Sequence, residues 1–373
     1  MKRTSRKTGR ANVVRRDNAD VKPLPSPVLP GPSAQRLPDR PRSIYRTPDG
    51  QITRDLSVSE IAAAYVAVQG GDGLLWVDVD STSDVEQDVL PNVFKLHPLA
   101  IEDALSSKSR VKLEEYEPDD PHGYLLLVLR TVRFCVDTPD DPYDIETINL
   151  SLFVGKHFVV TVHREPAPSV DAVVALVHHN PDLLARGASR LAHMVADNAI
   201  DAYFPILDEV DGFIDQLEER VFTEFDQSAL PEIFRVKRLV LSLRRYLTPQ
   251  RDVFNALSNR PSKFLPVETQ VYFRDVYDHV LRINDALDTY RELLSGTLDG
   301  YLTQVNNRLG QVTKGLSIVA TLSIPFVVIS GMWGMNVDNI PFAHVPHAFE
   351  VMLVLQLGLG AALVWLLKSR DWL

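Results

Sequence analysis

The sequence predicts an α+β membrane protein, with an N-terminal cytoplasmic α/β domain, a funnel of long helices and two transmembrane helices at the C-terminus. Three observations predict it. Residues 315–333 carry no charge and residues 348–367 carry one, Glu350. No proline falls between Pro266 and Pro325, so one helix can run unbroken from Val267 to about Met332. Upstream, residues 50–180 alternate between strand-like and helix-like stretches.

The elements follow in order. Residues 1–46 hold twelve Lys/Arg against three Asp and no Glu, whereas the other 327 hold 27 Lys/Arg against 46 Asp/Glu. A basic, Pro-rich start buries too little apolar surface to offset its ordering entropy. It is expected to be a disordered, solvated tail, with no nucleic-acid partner. No apolar core follows its charges, so it does not read as a secretory signal. The single cysteine, Cys135, excludes an internal disulfide and a thiolate metal cluster.

Residues 47–190 are expected to form the cytoplasmic α/β domain. Gly70-Gly71-Asp72-Gly73 marks a turn into a strand over 74–79. A helix is expected over 97–106, strands over 124–134, 147–153 and 157–163, and a helix over 170–179. The last two strands should meet in a hairpin at Gly155-Lys156. Residues 191–311 read as funnel and stalk. A helix over 191–225 carries Asp208, Glu209, Asp211, Asp215, Glu218 and Glu219, and a more basic helix follows over 230–257. Pro205 and Pro249 should kink or interrupt them. They are expected to pack as an antiparallel pair joined near 226–229, and Pro266 suits the first turn of a third helix.

That third helix would be roughly 100 Å long at 1.5 Å per residue, far more than one small domain can support. Copies of itself are the economical partners. Its last part, 312–333, and the segment 348–373 each contain an apolar run of about 20 residues, enough to cross a bilayer. Arg308 and Lys314 precede the first span and Lys368 and Arg370 follow the second, while the loop 334–347 has no Lys or Arg. The loop should therefore lie outside and both termini in the cytoplasm, in the cell (inner) membrane. Two helices cannot enclose an aqueous path, so an ion route requires a ring of identical subunits.

One charge-free stripe recurs along the long helix at steps of three or four: Gly310, Thr313, Leu316 or Ser317, Ala320, Ile324, Val327 and Gly331. Small residues suit close helix packing. They equally suit a narrow pore for a hydrated ion, gated by dewetting at Leu316 and Ile324. At the outer end stand Gly334, Met335 and Asn336. Amide and backbone oxygens can hold hydrated Mg2+ through its outer shell, and a helix-capping turn would use the same residues.

Gly-Met-Asn at the outer end of the penultimate of two C-terminal spans resembles the signature of the CorA family of magnesium transporters. The resemblance covers about residues 50–373. His97-Pro98-Leu99-Ala100-Ile101-Glu102-Asp103, residues 272–279 and the closing Trp372-Leu373 are similar to further family stretches. It implies a pentameric, channel-like transporter with Gly334, Met335 and Asn336 as the entrance filter. It also implies Mg2+ sensing between subunits at Asp103 and Asp275, and an aspartate ring at Asp299 near the lower pore. Bound Mg2+ would hold the subunits closed, and its loss would open the ring. The transported and regulatory ion would be Mg2+, with Co2+ or Ni2+ as further cargo.

Departures from the pattern fall in the pore. Trp333 replaces a tyrosine, and Gly310, Thr313 and Ile324 stand where Asn, Met and Met occur. The acidic loop is reduced to Asp338 with Phe342, and the C-terminal basic run to Lys368 and Arg370. His344 and His347 are expected in a mobile external loop. Two alternatives remain: the same fold carrying Co2+, Ni2+ or Zn2+, and a membrane-tethered scaffold that conducts nothing. No phosphate-binding Gly-rich loop, His-Glu-x-x-His or Gly-x-Ser-x-Gly occurs, so an enzyme is not expected.

Overall fold

The computed structural model describes residues 40–71, 73–134, 144–335, 346–370 and 372. They fall into two compact units. One takes in the chain up to Thr131, Ile148–Ala199 and Arg260–Tyr272. The other takes in Val132–Thr147, Ile200–Asn259 and the chain from Phe273 onward.

The first unit holds most of a seven-stranded sheet. Its strands are β1 (Arg42–Arg46), β2 (Ile52–Arg54), β3 (Leu74–Asp80), β4 (Lys112–Tyr116), β5 (Tyr124–Phe134), β6 (Ile145–Val154) and β7 (Phe158–His163). They lie in the order β2-β1-β3-β7-β6-β5-β4. β3 and β7 run parallel, from Leu75 opposite Phe158 to Asp80 opposite His163, while β6–β7, β4–β5, β1–β2 and β1–β3 are antiparallel. Every residue of β7 and all of β3 except Asp80 are buried, as in strands covered on both faces. The expected hairpin at Gly155-Lys156 is present: the Gly155 N–H donates to the Phe158 carbonyl at 2.9 Å. A Cβ on Gly155 would lie 2.0 Å from the Phe158 ring, so only glycine fits.

Helices α1 (Val58–Gln69), α2 (Asp84–Gln87), α3 (Val89–Asn92), α4 (Pro98–Leu105) and α5 (Pro168–His179) complete this layer of the chain. A capping box starts α1: the Glu60 N–H donates to Ser57 Oγ at 3.4 Å and the Ser57 N–H to Glu60 Oε2 at 2.7 Å. Its buried stripe, Ile61, Ala64, Tyr65 and Val68, follows the helical repeat. Tyr65 meets Phe94 and Phe158 edge-on at 4.8 and 5.3 Å, at the centre of the core.

The disorder expected for residues 1–46 fails at its end, because Arg42–Arg46 is strand β1, paired to β3. Residues 1–39 lie outside the described residues. Arg42 explains the order. Its guanidinium donates to Asp78 Oδ2 at 3.0 and 2.6 Å and to Asp171 Oδ1 at 2.7 Å. Asp78 is 1% exposed and also accepts from the Thr161 hydroxyl at 2.6 Å, with His163 Nε2 3.1 Å away. A carboxylate this deep requires a cation, and Arg42 supplies it through two N–H groups on one oxygen, across 36 residues of sequence. Burial lowers the Arg42 pKa, but the Asp78 and Asp171 carboxylates outweigh it and hold the value raised.

The expected helix over 191–225 is two helices, α6 (Ala188–Asp201) and α7 (Tyr203–Glu219), with the break at Ala202 and a π turn at Arg220–Glu224. Pro205 has no N–H for the Asp201 carbonyl and its ring crowds that oxygen, so the interruption falls one turn before the proline. Pro249, by contrast, leaves α8 (Ala229–Asn259) uninterrupted. It is exposed, and the buried stripe Leu243, Leu247, Gln250, Val253, Phe254 and Leu257 continues past it. At the α7–α8 turn, Arg220 donates to Asp226 and Glu232, each at 2.5 Å. Hydrogen bonds from the Ser228 hydroxyl and from Arg220 pull the Asp226 pKa down to about 2. The chain ends in α9 (Val267–Trp333, 67 residues) and α10 (Ala348–Ser369, 22 residues).

Candidate pore, filter and sensor sites

The lower part of α9 is a packed helix. Phe273, Val276, Val280, Ile283, Leu287, Leu294 and Tyr301 are all buried, at steps of three, four or seven. Tyr290 donates to the Leu207 carbonyl at 3.3 Å, and Arg244 of α8 pairs with Asp288 at 2.6 Å. The stacking of Phe225 on Tyr301, 5.5 Å between centroids, marks the end of this support. Past Tyr301 no described residue of α9 is buried. Pro325 lies within the helix without breaking it.

Both α9 and α10 are long and apolar enough to cross a membrane, and neither apolar window is buried within the chain. They touch where α10 is smallest: a Cβ on Gly360 would lie 2.7 Å from Phe326 Cζ. At about 100° per residue, Phe326 shares one face of α9 with Leu322, Ile329 and Trp333. The sequence-predicted stripe lies on roughly the opposite face. Leu316, Ile324 and Val327 are 70%, 58% and 67% exposed. Thr313 is exposed too, its hydroxyl donating to the Leu309 carbonyl at 2.9 Å. A side chain at Gly310 or Gly331 would meet open space, and Ser317 and Ala320 are half-buried. The lower end of the stripe is flanked. Gly310 and Thr313 border an open groove of about 720 Å³ shared with Lys314, Arg370 and Trp372.

Gly334 and Met335 follow the last turn of α9. The Gly334 N–H donates to the Ser330 carbonyl at 2.9 Å, and both residues are exposed. Gly334 ends the helix without a positive φ, so left-handed backbone is not what glycine supplies there. Asn336, with His344, lies outside the described residues. His347, in left-handed conformation at φ 66°, precedes α10.

The aspartates sit in different units. Asp103 is in α4, which His97 caps by accepting the Leu99 N–H on Nδ1 at 3.2 Å. Its Oδ2 lies 2.6 Å from Lys112 Nζ, which is also 2.7 Å from Glu114 Oε2. The Tyr116 hydroxyl donates to the same Glu114 oxygen at 2.9 Å. Sequence reasoning missed this trio, although Lys112, Glu114 and Tyr116 alternate along β4 and so share a face. Asp275 is 72% exposed on α9, with His279 Nε2 at 3.9 Å, and His279 Nδ1 is 2.9 Å from Asp201. Asp299 is also on α9 and exposed. Exposed carboxylate oxygens are the donors that Mg2+ prefers, so Asp275 and the outer part of Asp103 fit such an ion.

Known proteins resemble the chain in sequence and in fold. The family model described as CorA-like Mg2+ transporter protein matches residues 71–369. A Bacillus subtilis protein named as a metal ion transporter, YfjQ, is 31% identical over 289 residues, 78% of this chain and 85% of that protein. The cobalt/magnesium transport protein CorA of Thermotoga maritima is 30% identical over 301 residues, 80% of this chain and 83% of that protein. The complete structure of the CorA magnesium transporter from Methanocaldococcus jannaschii superimposes with a TM-score of 0.75. At 20% identity it covers 89% of this chain and 98% of that one, and it shares the fold. A chain matched by the family model from the α/β sheet to the end of its second apolar helix, with relatives of this length and identity, belongs to the CorA family of divalent-cation transporters.

Proposed function

We propose that the chain is one subunit of a homo-oligomeric, pentameric channel-like transporter that admits Mg2+, and Co2+ or Ni2+ as further cargo, into the cytoplasm. One observation carries the reading: α9 leaves its packed lower half and presents a small, charge-free stripe on the face opposite α10. A stripe that carries no charge and whose Leu316, Ile324 and Val327 its own chain leaves exposed is the natural lining of a pore made by several copies. The names of the relatives in Thermotoga maritima and Methanocaldococcus jannaschii, cobalt/magnesium transport proteins, support the cargo.

The ion enters hydrated past Gly334, Met335 and Asn336, where neutral oxygens bind it through its water shell and release it readily. Leu316 and Ile324 form apolar constrictions whose wetting decides conduction, and Asp299 offers a carboxylate near the inner end. Cytoplasmic Mg2+ bound at Asp103 and Asp275 between neighbouring subunits favours the closed ring, and its loss leaves facing carboxylates that push the subunits apart. Both termini lie in the cytoplasm and the loop 334–347 outside. Asn336→Ala in reconstituted protein tests the filter: Mg2+ uptake is expected to fall to background in an intact oligomer. Uptake at the unmodified rate would remove the filter from the account.

A further inference from the structure

Asp103 is not an idle carboxylate, since Lys112 Nζ stands 2.6 Å from its Oδ2 and 2.7 Å from Glu114. Resting on the reading of Asp103 as a Mg2+ sensor, we propose that Lys112 is a tethered cation that competes with Mg2+ for Asp103 and thereby sets the internal Mg2+ level at which the transporter closes.

The geometry holds the ammonium in place from two sides. Lys112 and Glu114 point the same way from β4, and the Tyr116 hydroxyl fixes Glu114 Oε2 at 2.9 Å. The Ser109 hydroxyl donates to the Asp103 carbonyl at 2.5 Å, which pins the end of α4 beside β4. Lys112 is 23% exposed, so its charge is partly desolvated. Two carboxylate oxygens within 2.7 Å hold the ammonium between them.

A Mg2+ ion reaching Asp103 therefore meets a positive charge already bound there, at high effective concentration because it is tethered. Glu114 makes the exchange reversible. When Mg2+ takes Asp103, the ammonium keeps its second carboxylate and no charge is stranded. The remaining cost is repulsion between a monovalent and a divalent cation a few ångströms apart, which screening reduces but does not abolish. Lys112 is thus a tuning residue that moves the sensor's threshold upward.

The test reads the internal Mg2+ concentration giving half-inhibition of uptake in proteoliposomes, for unmodified protein, Lys112→Gln, Lys112→Arg and Asp103→Asn. Lys112→Gln should lower that concentration roughly three- to tenfold, and Lys112→Arg should keep it near the unmodified value. The Mg2+-dependent rise in Tm of the solubilised oligomer should shift by the same factor, a readout that survives loss of transport. If Asp103→Asn loses inhibition but Lys112→Gln inhibits at an unchanged or higher concentration, the tethered-cation proposal is wrong while the sensor stands. If Asp103→Asn inhibits normally, the sensor reading falls and the proposal with it.

Discussion

The α/β unit and the upper part of α9 are both rich in apolar side chains, yet they place them oppositely. In the first, Trp76, Phe94, Phe153 and Phe158 are each no more than 1% exposed and the central carboxylate, Asp78, is held by Arg42. In the second, Leu316, Val327 and Met332 are 70%, 67% and 62% exposed. The sheet unit buries its apolar surface within one chain. The spans have surface that only lipid and neighbouring copies can cover. The difference separates what folds the subunit from what the assembled membrane protein must complete.

Substitutions can sharpen this contrast, beginning with the largest effect. Phe94→Ala, beneath Tyr65 and Phe158, should cost about 3–5 kcal/mol in denaturant unfolding of the protein. Val327→Ala removes a similarly apolar side chain from the exposed stripe and should change subunit stability by less than about 0.5 kcal/mol, while altering Mg2+ conductance. Equal destabilisation by the two would erase the distinction.

An intermediate case is the contact of α9 with α10. Gly360→Val forces a side chain into the Phe326 ring and should destabilise the paired spans by about 1–3 kcal/mol, seen as a lower Tm of the solubilised oligomer. The smallest effect belongs to the α7–α8 turn. The Asp226 pKa is about 2 in the folded chain, depressed below its ordinary value. Its contribution is therefore complete above about pH 5 and is lost as pH falls towards 2. Asp226→Asn should remove part of the acid sensitivity in that window by lowering stability slightly at neutral pH while leaving it nearly unchanged near pH 2. An unchanged acid profile would show that the Arg220 clamp is incidental.

The contrast also explains what was legible in the sequence. The spans and the unbroken α9 were readable because absence is a strong signal: no charge over 315–333 and no proline between 266 and 325. The β6–β7 hairpin was readable from Gly155-Lys156. Strand β1 was not, because a basic, Pro-rich composition masked five residues whose order depends on Asp78 and Asp171, far along the chain. The signal that could have found it is Ser43-Ile44-Tyr45 bracketed by Pro41 and Pro48. Edge strand β4, Lys-Leu-Glu-Glu-Tyr, carries too many charges to stand out, yet its two-residue period holds Lys112 and Glu114 together beside Asp103. The break at Ala202 fell one turn before the proline that caused it, since proline acts on the carbonyl four residues back.

The central claim is that the uncovered stripe of α9 conducts Mg2+ and that cytoplasmic Mg2+ closes it. The direct measurement is Mg2+ influx into proteoliposomes of the purified oligomer, with internal Mg2+ either absent or millimolar, repeated for Asp103→Ala combined with Asp275→Ala. The account predicts influx that internal Mg2+ suppresses in the unmodified protein and suppresses far less in the double variant. No influx under either condition, from an oligomer shown to be intact, would contradict the account.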